Sequence, residues 1–195
     1  MSRQTHIWLI RHGETPWSLS GQHTGKTEME LTASGQVMAK AIGHELAGRR
    51  FDLILTSPRV RARETCRLAG YSASAVVEEN LQEWDYGAYE GRTTVDITKE
   101  APGWSLWRNG VRDGETIESV RARADRVIRR AVDCAGEVAL FAHGHILRVL
   151  TARWIGLPTD GGRYFALDAG SISILGYEHK VPVISQWNLV PARES

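Results

Sequence analysis

The feature that most constrains this chain is an alternation. Short apolar runs at residues 6–10, 51–56 and 138–142 each stop abruptly, and each leads on to a longer stretch whose apolar positions recur at helical spacing. Runs this short and this continuously apolar fit strands buried on both faces. The first empties into Arg11, His12 and Gly13, the last into His143, Gly144 and His145. Between them, Thr32 can cap a helix carrying Val37, Met38, Ala41, Ile42 and Leu46 on one face, which Gly48 ends. Ser57 and Pro58 open a second helix through Arg61 to Leu68, since proline in a first helical turn lacks only an N–H that would have no partner there. A weaker strand is expected at 75–77, an ordered loop at 81–91 and an irregular segment at 100–116. Val120, Ala124, Val127, Ile128 and Ala131 mark an amphipathic helix whose arginines form a solvated face. A helix to about Trp154 follows the run at 138–142, and strand-like runs at 171–177 and 181–187 close the sequence. Strands alternating with helices predict an α/β fold, a three-layer α/β/α sandwich around a mainly parallel sheet. Ligands of such sheets bind beyond the carboxyl ends of the strands, where His12 and His143 both fall, so the two are expected to share a site.

With 195 residues the chain fits a single domain spanning 1–195. Its 24 Lys and Arg against 23 Asp and Glu leave a formal charge of +1, which gives no reason to expect nucleic acid or an anionic membrane as partner. No apolar stretch approaches the ~20 residues of a membrane span, and no export signal is recognisable. Cys66 and Cys134 sit in helix-like stretches and read as buried thiols of a reducing compartment, so the expected location is cytoplasmic.

Cleaving a phosphate monoester requires fixed donors around a dianion, an in-line nucleophile and an acid for the leaving oxygen. Arg11 and Arg61 offer guanidinium forks that can each hold two phosphate oxygens. Positive charge beside His12 opposes its protonation and keeps the imidazole nucleophilic, so the expected intermediate is a phosphohistidine. His6, His23, His44 and His179 are read instead as hydrogen-bonded structural residues.

Residues 11–15 read RHGET, and here the chain resembles the histidine phosphatase superfamily, which includes the cofactor-dependent phosphoglycerate mutases. The similarity continues through TSPRVRARET at 56–65, LQEWDYGAYEG at 81–91 and FAHGH at 141–145. It implies a phosphoglycerate mutase-like fold. It makes His12 the nucleophile, Arg11, Arg61 and His143 the groups that hold the developing charge, and Glu83 the general acid and then the base toward water. Glu83 would need its pKa raised toward neutrality, in an apolar setting supplied by Trp84. Thr24, Gly25 and the main-chain N–H of Gly144 match phosphate-contacting positions, and Ser18 and Tyr86 are further substrate-binding candidates.

Family mutases carry Asn where this chain has Ser18, Arg where it has Trp84, and Lys near Thr94, and they contain a longer insert. Those departures favour hydrolysis over a phosphoglycerate mutase, which is the alternative. The run at 107–110, GET at 114–116, FAHGHILR at 141–148 and LDAGSISILGYE at 167–178 resemble the sedoheptulose-bisphosphatase branch and related broad-specificity acid phosphatases. In that branch the residue matching Arg148 helps bind a distal phosphate; a helix-surface charge is the other reading of Arg148. Trp104, Trp107 and Arg108 form either a lid or packing. The expected function is therefore a phosphomonoesterase acting on small phosphorylated metabolites, sugar phosphates or bisphosphates, with no metal and no cofactor, and a homodimer is a candidate assembly. Three other classes fare worse. His143 and His145 lack the further ligands of a zinc hydrolase, neither cysteine is followed by a phosphate-loop arginine, and a noncatalytic phosphosugar-binding protein would not need every catalytic position filled.

Overall fold

The computed structural model describes residues 4–192. In chain order its elements are β1 (His6–Arg11), α1 (Pro16–Ser20), α2 (Ala33–Glu45), β2 (Leu53–Thr56), α3 (Val60–Leu68), β3 (Ala75–Val77), α4 (Thr94–Glu100), α5 (Leu106–Asn109), α6 (Ile117–Cys134), β4 (Glu137–Ala142), α7 (Gly144–Trp154), β5 (Ile172–Glu178) and β6 (Val181–Leu189). The strands form one six-stranded sheet in the order β3-β2-β4-β1-β5-β6. β3, β2, β4 and β1 are mutually parallel, and β5 turns the sheet antiparallel by pairing with β1 and with β6.

Period-two alternation divides the core. Ile7 and Leu9 of β1 join Leu55, Val138 and Leu140 against Val120, Ala124 and Val127 of α6 and Ile146, Val149 and Leu150 of α7. Trp8 and Ile10 join Ile54, Ala139 and Phe141 against Ile42 of α2 and Cys66 of α3. The sheet thus has helices on both faces, the expected α/β class, and β1 and β4 read as unbroken apolar runs because neither face meets water.

Several local expectations change. Pro58 lies before α3 rather than in its first turn; Arg59 is the N-cap and the helix starts at Val60. Two short helices carry cap signals instead of periodicity. Thr15 and Ser18 form a reciprocal capping box at α1, followed by Pro16. Thr93 Oγ1 accepts from the Asp96 N–H at 3.1 Å at the start of α4. The segment 100–116 contains the single turn α5. Cys66 is buried, its thiol pushed up to about 12 by burial, whereas Cys134 is only half-buried. Among the described residues no helix is long and apolar enough to cross a membrane.

Candidate active site

Three neighbouring parallel strands end together. β1 delivers Arg11 and His12, β4 delivers His143 and the first turn of α7, and β2 delivers Ser57. The loop after β1 is pinned by a close backbone approach: a Cβ on Gly13 would meet the Gly35 carbonyl oxygen at 2.3 Å, and one on Gly35 would meet that of Glu14 at 2.1 Å. Only glycine permits this contact between the loop and the start of α2.

His12 is 5% exposed, and its Nδ1 lies 2.7 Å from the Gly13 carbonyl. A carbonyl can only accept, so Nδ1 carries the proton and the lone pair resides on Nε2. Burial, with the charges of Arg61 and then Arg11, lowers the His12 pKa to about 3, and the imidazole is neutral at physiological pH. The His143 ring lies 5.2 Å away and is fully buried. The Nε–H of Arg61 donates to His143 Nδ1 at 3.1 Å, which puts the His143 proton on Nε2, 2.7 Å from Ser57 Oγ. Burial foremost, then Arg61, holds His143 neutral as well.

Beside His12 opens a cavity of about 190 Å³ lined by Arg11, His12, Ser18, Thr24, Glu83, Tyr86, Gly144 and Arg148, together with Gly21, Gln22, His23, His145 and Leu167. Arg11 donates through Nη1 to the Leu167 carbonyl, while its buried Nε finds no partner among the described residues. Arg148 donates to the Gly162 carbonyl at 3.0 Å and lies over the Trp107 ring at 4.9 Å.

Arg61 and Gly25 stand behind this wall. Arg61 is fully buried and donates to the carbonyls of Thr24, Gly25 and Thr27, each at 3.0 Å. Gly25 gives its N–H to the Glu90 carboxylate, and a Cβ there would meet the Trp84 carbonyl oxygen at 2.5 Å. Arg61 therefore acts on the cavity through its charge and through the loop it holds.

The expected rise in the Glu83 pKa is corrected. Trp84 is buried, but its indole donates to the Glu115 carbonyl and it does not line the cavity. Burial does push Glu83 upward, yet His145, His143 and backbone donors outweigh it and hold the carboxyl well below its ordinary value. Oε1 accepts the N–H groups of Trp84 at 2.9 Å and Ile146 at 3.0 Å; Oε2 accepts that of His145 at 2.9 Å. Two of these donors belong to the first turn of α7, where the helix dipole also favours an anion. Glu83 is therefore a carboxylate at neutral pH.

His23 and His145 complete the wall, although His23 was expected to be merely structural. His23 stacks on Tyr86 at 4.7 Å, and burial, then His145, lowers its pKa to about 4. The one sequence signal for His145 was its place two residues beyond His143. Trp104 and Trp107 pack the segment down against His23 and His145 at 5.8 and 5.3 Å, while Arg108 is exposed and outside the cavity lining. Among the described residues no group of three or more His, Cys, Asp or Glu is placed to hold a metal ion.

The sequence profile of the histidine phosphatase superfamily (branch 1) matches residues 7–190. The chain belongs to that family. It is 40% identical to an acid phosphatase of Mycobacterium tuberculosis over 92% of this chain and 90% of that one. It is 36% identical to sedoheptulose 1,7-bisphosphatase of Saccharomyces cerevisiae over 88% and 87%. The solved structure of an open-reading-frame product from Mycobacterium tuberculosis superposes with a TM-score of 0.91 at 39% identity, covering 95% of this chain and 98% of that one. This member of the histidine phosphatases is a phosphatase enzyme with the family's phosphoglycerate mutase-like fold.

Proposed function

We propose that the chain hydrolyses phosphomonoesters of small metabolites, sugar phosphates or bisphosphates, through a phosphohistidine on His12. The observation that carries this reading is the His12 lone pair. With Nδ1 tied to Gly13, Nε2 is the nucleophilic nitrogen, and it belongs to a residue that shares one small cavity with Arg11 and Glu83. Nε2 attacks phosphorus, the P–O bond to the alcohol breaks, and a proton from Glu83 goes to the departing oxygen. Glu83 then takes a proton from water, whose oxygen attacks the phosphohistidine and releases inorganic phosphate. Arg11 and the first turn of α7 at Gly144 hold the phosphoryl oxygens. Arg61 and His143 act from behind by charge and orientation, and Ser18, Thr24, Tyr86 and Arg148 meet the rest of the substrate.

The ionised Glu83 becomes an acid through the substrate itself. A phosphate dianion entering the cavity adds negative charge beside the carboxylate and raises its pKa, so a proton taken up on binding is the one delivered to the leaving oxygen. Hydrolysis rather than mutation is favoured by position 84, where the arginine of family mutases is replaced by an indole buried away from the cavity. The enzyme acts as one domain, and two cysteines with no disulfide between them fit the cytoplasm.

The test is phosphate release at acid and neutral pH from sedoheptulose and fructose bisphosphates, sugar monophosphates, 3-phosphoglycerate and a chromogenic ester, for wild type beside His12→Ala. Release that disappears in the variant supports the reading and ranks the substrates. Conversion of 3-phosphoglycerate to its 2-isomer without release would replace it with the mutase.

A further inference from the structure

Glu83 and Tyr86 also form a short chain of polar contacts with His145, which has no role so far. Tyr86 Oη lies 2.7 Å from His145 Nδ1, and that same nitrogen lies 3.8 Å from Glu83 Oε2. The Glu83 oxygens accept three backbone N–H groups, and the His145 side chain, which also favours the carboxylate, stands beyond hydrogen-bond distance of them. Tyr86 is 2% exposed, and among the described residues its one hydrogen-bond partner is His145. At 2.7 Å the phenolic oxygen is within hydrogen-bond distance of Nδ1 and at 3.8 Å Glu83 Oε2 is not; between a phenol and a neutral imidazole the phenol is the better donor and the ring nitrogen the better acceptor. Burial and the charge of Glu83 keep the phenol protonated, so its hydrogen is there to be given.

We propose that Tyr86 donates to Nδ1 of His145 and thereby fixes the imidazole proton on Nε2, which makes His145 a preset N–H donor to the leaving-group side of the substrate. His145 lines the cavity, and Nε2 has no hydrogen-bond partner among the described residues. The ring's orientation is held by neighbours on several sides: Trp107 at 5.3 Å, Tyr86 at 5.8 Å, His23 at 6.1 Å and Trp84 at 6.5 Å. Burial also favours the neutral ring, which has one proton to place. A donor fixed beside the general acid recognises a neutral oxygen, such as a hydroxyl of a polyhydroxylated alcohol. His145 is on this account a substrate-contacting residue and Tyr86, which also lines the cavity, the residue that positions it, and the contact of His145 with substrate rests on the phosphatase reading above.

Two measurements test it. In nitrogen-15 histidine-labelled protein without ligand at neutral pH, nitrogen–proton correlation spectra should show His145 with an unprotonated Nδ1 and a protonated Nε2. Tyr86→Phe should shift the proton toward Nδ1, drawn by the Glu83 carboxylate. A protonated Nδ1 in wild type, or a tautomer that ignores Tyr86→Phe, overturns the proposal without any assay of activity. In the second measurement, steady-state hydrolysis of the best polyol phosphate, His145→Asn should raise KM roughly tenfold with little change in kcat, the loss of one neutral hydrogen bond. His145→Gln, whose amide can return a donor near the Nε2 position, should recover most of that. Equal KM values in wild type and both variants overturn the substrate contact. A protein that releases phosphate from no ester yet shows the expected tautomer fails the phosphatase reading and leaves the Tyr86–His145 donor standing.

Discussion

The two ends of β1 each border a cavity, and they differ in a way that size does not reveal. The amino end opens on the larger one, about 500 Å³, lined by His6, Trp8, Arg49, Arg50, Phe51 and Glu137 among others. There the wall is closed on itself: His6 Nδ1 and Trp8 Nε1 both reach the Glu137 carboxylate, at 2.8 and 2.6 Å, and the Arg49 guanidinium sits 4.3 Å over the Trp8 ring. The carboxyl end borders only about 190 Å³, but its wall keeps polar valences open at His12 Nε2, His145 Nε2 and Arg11 Nε. Of these atoms Arg11 Nε is the buried one without a partner, while His12 and His145 belong to the cavity wall. On the proposed reading it is these donors and the lone pair, rather than volume, that mark the end of the strand where substrate binds.

The sharpest way to break that comparison is to remove the lone pair. His12→Ala should lower phosphate release by at least about 10⁴-fold, the scale on which loss of a nucleophile acts. His6→Asn, at the other end of the strand, should leave kcat/KM within about twofold, the range of a surface change with no catalytic role. A comparable loss in both variants would mean that the amino-end cavity takes part in the reaction. Next in size is Glu83→Gln, expected to lower kcat about 10²- to 10⁴-fold on sugar phosphates. On an ester whose alcohol leaves readily as an anion the loss should be much smaller, because the leaving oxygen then needs no proton. Equal losses on both ester types would assign Glu83 to binding rather than to proton transfer.

Much of this arrangement was legible in the sequence, and the part that was not has a common cause. β1 and β4 declared themselves because strands buried on both faces give unbroken apolar runs, and the histidines at their ends followed from the parallel topology. α1 and α4, of five and seven residues, are too short for periodicity to register and were marked only by their caps. The charge state of Glu83 was misjudged because its sequence neighbour Trp84 suggests an apolar pocket. Its decisive donors, the N–H groups of His145 and Ile146, come from a helix far along the chain. His23 was read as structural for the same reason, since only the tertiary fold stacks it on Tyr86.

The site should also show its character in stability, with a smaller effect. His12 titrates at about 3 when folded against an ordinary value of 6.5, so between these values the unfolded chain binds the proton and the folded one does not. Its contribution is therefore complete above pH 6.5 and is lost as pH falls, by about 3 kcal/mol at pH 4. Glu83, depressed below its ordinary 4.5, loses its own contribution in the same direction at still lower pH. Urea unfolding of wild type should thus weaken from pH 6.5 to 4, and His12→Ala should flatten the slope; an unchanged slope would mean that the imidazole is not held neutral by burial.

The smallest effect belongs to the amino end. Trp8→Phe keeps the aromatic contact with Phe51 and the seat for Arg49 but removes the N–H given to Glu137, whose carboxylate still has His6. Because the acceptor remains half in water and retains a partner, the cost should be about 1 kcal/mol of unfolding free energy, with kcat/KM unchanged. A change in KM would be more telling than a larger loss of stability. It would show that the two ends of β1 communicate through the strand, and the contrast between a closed wall and an open one would then describe two parts of one device.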